Sequence, residues 1–307
     1  MTLRQPRFAG LVPPVVTPLT ADGRIDTASL ERLVGFLLEG GVDGLFALGS
    51  SSETAYLTED QRTQVLEVVV KAAAGRVPVI AGCIETTTNR VIERARTARE
   101  LGADAVVATA PFYTRTHPAE IERHFRQIAA AVDLPLFAYD IPVCVHTKLD
   151  TGMLLRLAAD GVLAGVKDSS GDDGAFRYLC LGAAELPGFA VLTGHEVVVD
   201  AMLLGGADGV VPGLGNVDPH GYRRLADAAA AGDWAAARAE QDRLARLFEI
   251  VRAATDTSGT AAGLGGFKTA LMLRGIIASN AMSAPMLPLD EQQTAEVRRV
   301  LERAGLL

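Results

Sequence analysis

Gly206-Ala-Asp-Gly-Val-Val211 ends one element and begins another within six residues. The glycine supplies a left-handed helix C-cap, an aspartate follows, and the chain continues as an apolar strand. The same joint occurs as Gly41-Val-Asp-Gly44 before Leu45-Phe-Ala-Leu48, and as Gly102-Ala-Asp-Ala105 before Val106-Val107. A strand that is apolar at every position suits a parallel sheet buried on both faces, so three such joints imply repeated βα units.

The segments between the joints carry the period of helices. After Asp26-Thr27, an N-cap signal, Leu30, Leu33, Val34, Leu37 and Leu38 mark one apolar face that stops at Gly40-Gly41. Thr58-Glu-Asp-Gln61 is a capping box for the next helix, which continues through Val65, Val68 and Val69. The strand candidates are Leu11 to Val16, Gly44 to Leu48, Val77 to Ala81, Ala105 to Ala108, Leu134 to Tyr139, Leu163 to Lys167, Phe189 to Leu192 and Gly209 to Val211. Eight strands alternating with helices match a (β/α)8 TIM barrel, with a doubly wound open sheet as the alternative. From Asp218-Pro219 onward the composition shifts to Ala, Arg and Leu at helical spacing, punctuated by Gly232-Asp233, Gly263-Leu-Gly-Gly266 and Pro285 to Pro288. The expected layout is a barrel over residues 1–225 that carries the active site and a C-terminal helical subdomain over 226–307, with Lys268 at a helix start in a structural or rim role.

Composition narrows the function. Of 307 residues, 49% are hydrophobic and 21% charged, as in a globular protein, and no apolar run reaches the ~18 residues of a membrane span. Met1 to Phe8 lacks the layout of a signal peptide, so a cytoplasmic enzyme is expected. The net charge of -8 argues against a nucleic-acid partner. Cys83, Cys144 and Cys180 form no close pair, and the five histidines show no metal-ligand spacing, so neither a disulfide framework nor a metal is implied.

Of four lysines, Lys167 stands out because it ends the apolar run Leu163-Ala-Gly-Val-Lys167 before the turn Asp168-Ser-Ser-Gly171. At the inner end of a barrel strand an ammonium is costly to desolvate, which favours a neutral amine able to attack a carbonyl. Barrel active sites form at the C-terminal ends of the strands. Those ends read Gly49-Ser-Ser-Ser-Glu53, Pro111-Phe-Tyr113, Tyr139-Asp-Ile-Pro142, Lys167 and Thr193-Gly-His195. Dehydration of a carbinolamine needs a positioned proton carrier, and the Tyr139 hydroxyl is placed for it. A serine hydroxyl and the backbone N–H groups of Gly49 to Ser52 suit an α-carboxylate.

Together with Thr17-Pro18, Gly165-Val-Lys-Asp168 and Gly206-Ala-Asp-Gly209, these motifs resemble, in order and over the whole chain, the dihydrodipicolinate synthase and N-acetylneuraminate lyase family of class I pyruvate-dependent aldolases. The resemblance implies that Lys167 forms an imine with a keto acid and that Tyr139 shuttles protons over that carbon. It further implies that Ser50 and Ser51 bind the carboxylate, with Ser51 in a relay with Tyr139 and Tyr113, the last entering a neighbouring subunit's site. The resemblance also implies that Gly194 and Val211 line the pyruvate pocket. The resemblance implies no dissociable cofactor and no metal, and it implies a homotetramer built as a dimer of dimers.

The chain departs from both named branches. The synthase branch carries an arginine where this chain has Cys144, and the loss of one charge-assisted bond to a carboxylate is worth about 1.5 to 3 kcal/mol. The lyase branch has an acidic pair where this chain has Glu196 and Val197, and Ser52 replaces the glycine of the strand-two motif. Cys144, His146, His195, Glu196 and Asn216 are therefore the candidates for acceptor selectivity. The expected reaction joins pyruvate to an aldehyde or splits a 2-keto-3-deoxy sugar acid. The alternatives are the synthase branch's own reaction and dehydration of a keto-deoxy sugar acid. A non-catalytic binding member and a phosphate-handling barrel using Gly213-Leu-Gly215 are weaker readings.

Overall fold

The aspartates of the three joints explain why the motif recurs. The backbone N–H of Asp43 donates to the Leu11 carbonyl at 2.8 Å while its carboxylate accepts the Leu11 N–H at 2.7 Å. Asp104 does the same to Val79, at 2.8 and 2.9 Å, and Asp208 to Val191, at 2.8 Å for both bonds. Each aspartate thus clasps both backbone groups of one residue in the preceding strand, leaving neither unsatisfied. Gly41, Gly102 and Gly206, two residues earlier, all adopt positive φ, at 75°, 90° and 104°. This turn favours glycine because a Cβ is disfavoured there.

The computed structural model describes residues 8–307; of the stretch read for a signal peptide, all but Phe8 lies outside the described residues. The eight strands are β1 (Gly10–Leu11), β2 (Leu45–Ala47), β3 (Val79–Gly82), β4 (Ala105–Thr109), β5 (Leu136–Asp140), β6 (Gly165–Asp168), β7 (Ala190–Thr193) and β8 (Gly209–Val210). Their order is β1-β8-β7-β6-β5-β4-β3-β2, and the pairs from β3 to β8 and from β8 to β1 are parallel. The Asp43–Leu11 clasp joins the two ends of that order, closing the barrel.

By proximity along the fold the chain divides into two compact units. The first holds residues 8–12, 43–46 and 76–212, which is the strands together with α3 (Thr88–Glu100), α4 (Pro118–Ala131), the single-turn α5 (Pro142–Val145), α6 (Thr151–Ala159), α7 (Asp173–Ala183) and α8 (Val199–Leu204). The second holds residues 13–42, 47–75 and 213–307, with α1 (Thr27–Glu39), α2 (Glu59–Ala73), α9 (Pro219–Ala230), α10 (Trp234–Leu247), α11 (Gly259–Leu273) and α12 (Glu291–Arg303). The capping signals are realised: Asp26 accepts from the Ser29 N–H, the Thr58 and Gln61 capping box is complete, and Asp218 caps α9. On α1, Leu30, Leu33, Val34 and Leu37 are buried, each contributing about 1.5 to 3 kcal/mol of transfer free energy. The division expected after residue 225 falls inside α9. No helix of the described residues is long and apolar enough to cross a membrane.

Two expectations about elements are corrected. The first strand ends at Leu11 instead of running to Val16, because Pro13 and Pro14 carry no N–H to offer a sheet ladder. Gly263-Leu-Gly-Gly266 is no turn but the interior of α11, so Lys268 lies well inside that helix. A Cβ on Gly266 would meet the Ile250 carbonyl oxygen at 2.5 Å and one on Gly265 the Leu289 side chain at 2.3 Å. The glycines are there for close approach, which leaves the same signature in sequence as a loop.

Candidate functional site

β5 and β6 pair with Tyr139 directly opposite Lys167. Side chains of paired residues share a face, so the phenol and the amine stand side by side. Lys167 is only 5% exposed and Tyr139 2%. The Lys167 Nζ lies 4.3 Å from the Tyr139 ring centroid and 4.9 Å from that of Phe46, a β2 residue whose ring meets Tyr139 edge-on at 6.1 Å. Two aromatic faces attract an ammonium but offer no proton acceptor as strong as a carboxylate. Among the described residues Lys167 forms no ion pair. Phe46 escaped the sequence reading, although it is the one aromatic residue on the second strand.

β7 completes this end of the barrel. Lys167 pairs with Leu192 and Asp168 with Thr193, so Gly194 begins where β6 ends. Its N–H donates to the Asp168 carbonyl at 2.7 Å. A Cβ at Gly194 would come within 3.3 Å of Lys167 Cε and within 2.1 Å of Ser169 Oγ. Any larger residue would crowd the lysine chain, so glycine keeps the space beside the amine open. Val211, buried, donates its N–H to the Thr193 carbonyl at 2.8 Å. Lys167, Tyr139, Phe46, Gly194 and Val211 therefore gather at the C-terminal ends of the strands.

The candidates for selectivity surround this end unevenly. Cys144 on α5 is exposed as a residue, while partial desolvation of its sulfur pushes the thiol pKa up against the opposing pull of the Lys167 charge. His146, also exposed, takes a left-handed φ of 58° as the C-cap of α5. The His195 N–H donates to Thr193 Oγ1 at 3.1 Å and its Nδ1 lies 3.0 Å from an Asp173 carboxylate oxygen in the first turn of α7. Glu196 is half-buried beside it. Tyr113 is 94% exposed and holds a φ of 78°, unusual for a non-glycine residue.

The remaining candidates belong to the second unit. Ser50 and Ser51 open a single 3-10 turn, Ser50–Ser52, and both are half-buried. Ser52, where a glycine was expected to matter, needs no positive φ: its hydroxyl donates to the Val15 carbonyl and its own carbonyl accepts from Thr17 Oγ1 at 2.8 Å. Glu53 instead takes the left-handed conformation, at φ 59°. Its carboxylate is buried against the Lys268 ammonium and accepts the Ser283 N–H at 2.7 Å. Lys268 also donates to the Ala281 carbonyl at 2.7 Å and is wholly buried, which excludes a rim role. Asn216, read from the sequence as a selectivity candidate, lies among backbone groups. It is fully buried, donates to the Pro14 and Gly213 carbonyls at 2.9 Å and accepts the Val16 N–H at 3.1 Å, so its amide is occupied in holding the backbone after β1.

With this geometry in view, comparison with known proteins is direct. The model of the dihydrodipicolinate synthetase family matches residues 7–304. The chain belongs to the dihydrodipicolinate synthetase family. A family relative, the 4-hydroxy-tetrahydrodipicolinate synthase of Phenylobacterium zucineum, is 33% identical over 304 residues, covering 98% of this chain and 99% of the relative. Among solved family structures, YagE, a prophage protein from E. coli K12 in complex with pyruvate, superposes with a TM-score of 0.92 at 30% identity, covering 98% of this chain and 99% of that one. The chloride-inhibited dihydrodipicolinate synthase of Acinetobacter baumannii, also complexed with pyruvate, gives a TM-score of 0.88 at 30% identity, covering 97% and 99%.

Proposed function

We propose that Lys167 forms a Schiff base with the keto carbon of pyruvate, or of a keto acid that yields pyruvate, in a chain that is a class I pyruvate-dependent aldolase. The observation that carries this reading is a buried amine without a carboxylate partner among the described residues, set against the Tyr139 ring at 4.3 Å. The neutral amine attacks the carbonyl carbon, and the carbinolamine, protonated at its hydroxyl, loses water to give the protonated imine. Loss of a methyl proton then gives an enamine, which adds to an aldehyde carbon; protonation of the new alkoxide and hydrolysis of the imine release the product and free Lys167. Run backwards, the same steps split a 2-keto-3-deoxy acid. Tyr139 carries the proton at the keto oxygen. Ser50 and Ser51 are assigned to the carboxylate, Ser51 and Tyr113 to the proton relay, and Gly194 and Val211 to the pocket wall. Two pyruvate-bound family structures support the choice of keto acid.

Borohydride reduction in the presence of pyruvate, read by intact mass and peptide mapping, tests this assignment. A pyruvyl adduct on Lys167 is expected; no adduct, or one on another lysine, refutes it. Tyr139→Phe should lower turnover about 100- to 10,000-fold with the fold retained. For the acceptor, Cys144 in place of a cationic residue favours a neutral aldehyde, and free pyruvate from a keto-deoxy sugar acid would mark cleavage, whereas an intact carbon chain would mark dehydration. A tetramer is the companion proposal, supported by the family and by the exposed Tyr113. It acts in the cytoplasm on this reading. A monomer by sedimentation would remove Tyr113 from the relay.

A further inference from the structure

Tyr139 and Lys167 are each followed by an aspartate. Because β5 and β6 pair in register, Asp140 stands opposite Asp168 as Tyr139 stands opposite Lys167. Alternation along a strand turns both carboxylates to the face away from the phenol and the amine. Both are buried. Like charges directly opposite one another on paired strands repel. Burial pushes the Asp140 carboxyl up, and the neighbouring Asp168 adds to the effect, while Lys148 and the Leu149 N–H oppose it.

Lys148, in the segment between α5 and α6, meets both acids. Its ammonium is ion-paired with Asp140, lies 3.8 Å from Asp168 and donates to the Leu149 carbonyl at 3.2 Å. The second Asp140 oxygen accepts the Leu149 N–H at 3.1 Å. The other Asp168 oxygen accepts the Ser170 N–H and hydroxyl, each at 2.8 Å. The Ser169 N–H adds a bond from β6 to the Asp140 carbonyl at 2.8 Å.

We propose that Lys148 is a positioning residue for the imine chemistry: by neutralising Asp140 and Asp168 it holds β5 and β6 together at the level of Tyr139 and Lys167 and cancels a negative field that would keep Lys167 as an ammonium. This rests on the reading of Lys167 as the imine-forming amine. The titratable groups on the elements flanking β6 are Tyr139 and Asp140 on β5, Cys144, His146 and Lys148 after it, and His195 and Glu196 after β7; Phe46 on β2 is uncharged. Among these Lys148 is the group that reaches both aspartates. Removing it leaves two buried carboxylates next in the chain to the residues that must work.

The test is the rate of borohydride-trapped pyruvyl adduct as a function of pH in the wild type, Lys148→Met, Lys148→Arg and the double variant Asp140→Asn with Lys148→Met. Trapping by Lys148→Met should fall about tenfold at pH 7 and its half-maximum should move to higher pH by about one unit. Lys148→Arg should keep the wild-type profile. The double variant should regain most of the rate, because one negative and one positive charge leave together. An unshifted profile in Lys148→Met, or a double variant no better than Lys148→Met, overturns the proposal. Should Lys148→Met not fold, the double variant and Lys148→Arg decide the matter: failure of either to match the wild-type profile overturns it. A wild type that forms no adduct on Lys167 refutes the parent reading and this one with it, whereas trapping in the wild type with no charge dependence refutes this one alone.

Discussion

Lys167 in the first unit and Lys268 in the second are both buried lysines, and their surroundings are opposite. Lys268 is enclosed by an ion pair with Glu53 and a bond to the Ala281 carbonyl, and burial pulls its pKa down against the Glu53 charge that raises it. Lys167 has two aromatic rings and, among the described residues, no ion pair. A buried ammonium with a good partner is structural, since breaking such a pair leaves an uncompensated charge. A buried amine denied one keeps the lone pair within reach of a substrate carbonyl. His124 shows a third arrangement. Its Nε2–H donates to the Thr109 carbonyl at 3.1 Å, its Nδ1 accepts from Thr88 Oγ1 at 2.9 Å, and burial lowers its pKa to about 4, so it stays neutral.

The comparison breaks first at Lys167. Lys167→Ala should lower turnover by a factor on the order of 10,000 or more, while the denaturant midpoint stays nearly level, because the variant breaks no ion pair among the described residues. A large loss of stability with residual activity would make Lys167 the structural lysine. Lys268→Met should do the reverse, costing about 3 to 5 kcal/mol of stability. Adding Glu53→Gln should recover part of that loss, since the carboxylate left behind is the larger penalty; equal stability of the single and double variants would show that Glu53 is not held by Lys268. His124 gives the smallest effect. Its folded-state pKa of about 4 lies below the unfolded 6.5, so its contribution is complete above pH 6.5 and fades as the pH falls toward 4. Acid titration of unfolding should show a loss on the order of 3 kcal/mol across that window, absent in His124→Gln.

The barrel was legible because its punctuation is local. Gly41, Gly102 and Gly206 cap helices through backbone conformation alone, and Lys167 declares itself as a charge at the end of an apolar strand. What escaped the sequence depends on distant partners. The occupation of Asn216 by Pro14 and Val16 spans about 200 residues of chain, and nothing near Asn216 announces it. The Lys148–Asp140 pair joins a strand to an irregular segment at no helical or strand spacing. Gly263 to Gly266 misled for a different reason: the absence of side chains signals both a turn and a tight helix contact, and only the position of Ile250 and Leu289 tells them apart.

The aspartate clasps at Asp43, Asp104 and Asp208 have a consequence for how such a chain can change. They act at the beginnings of strands, each fixing one backbone residue of a neighbour at two points, and so set the stagger on which barrel closure depends. Strands as short as the two residues of β1 and β8 suffice when the stagger is fixed this way. The opposite rim, where Cys144 to His146 and His195 to Val197 lie, is released from that duty. Insertions and exchanges there leave the stagger of the strands beneath unchanged.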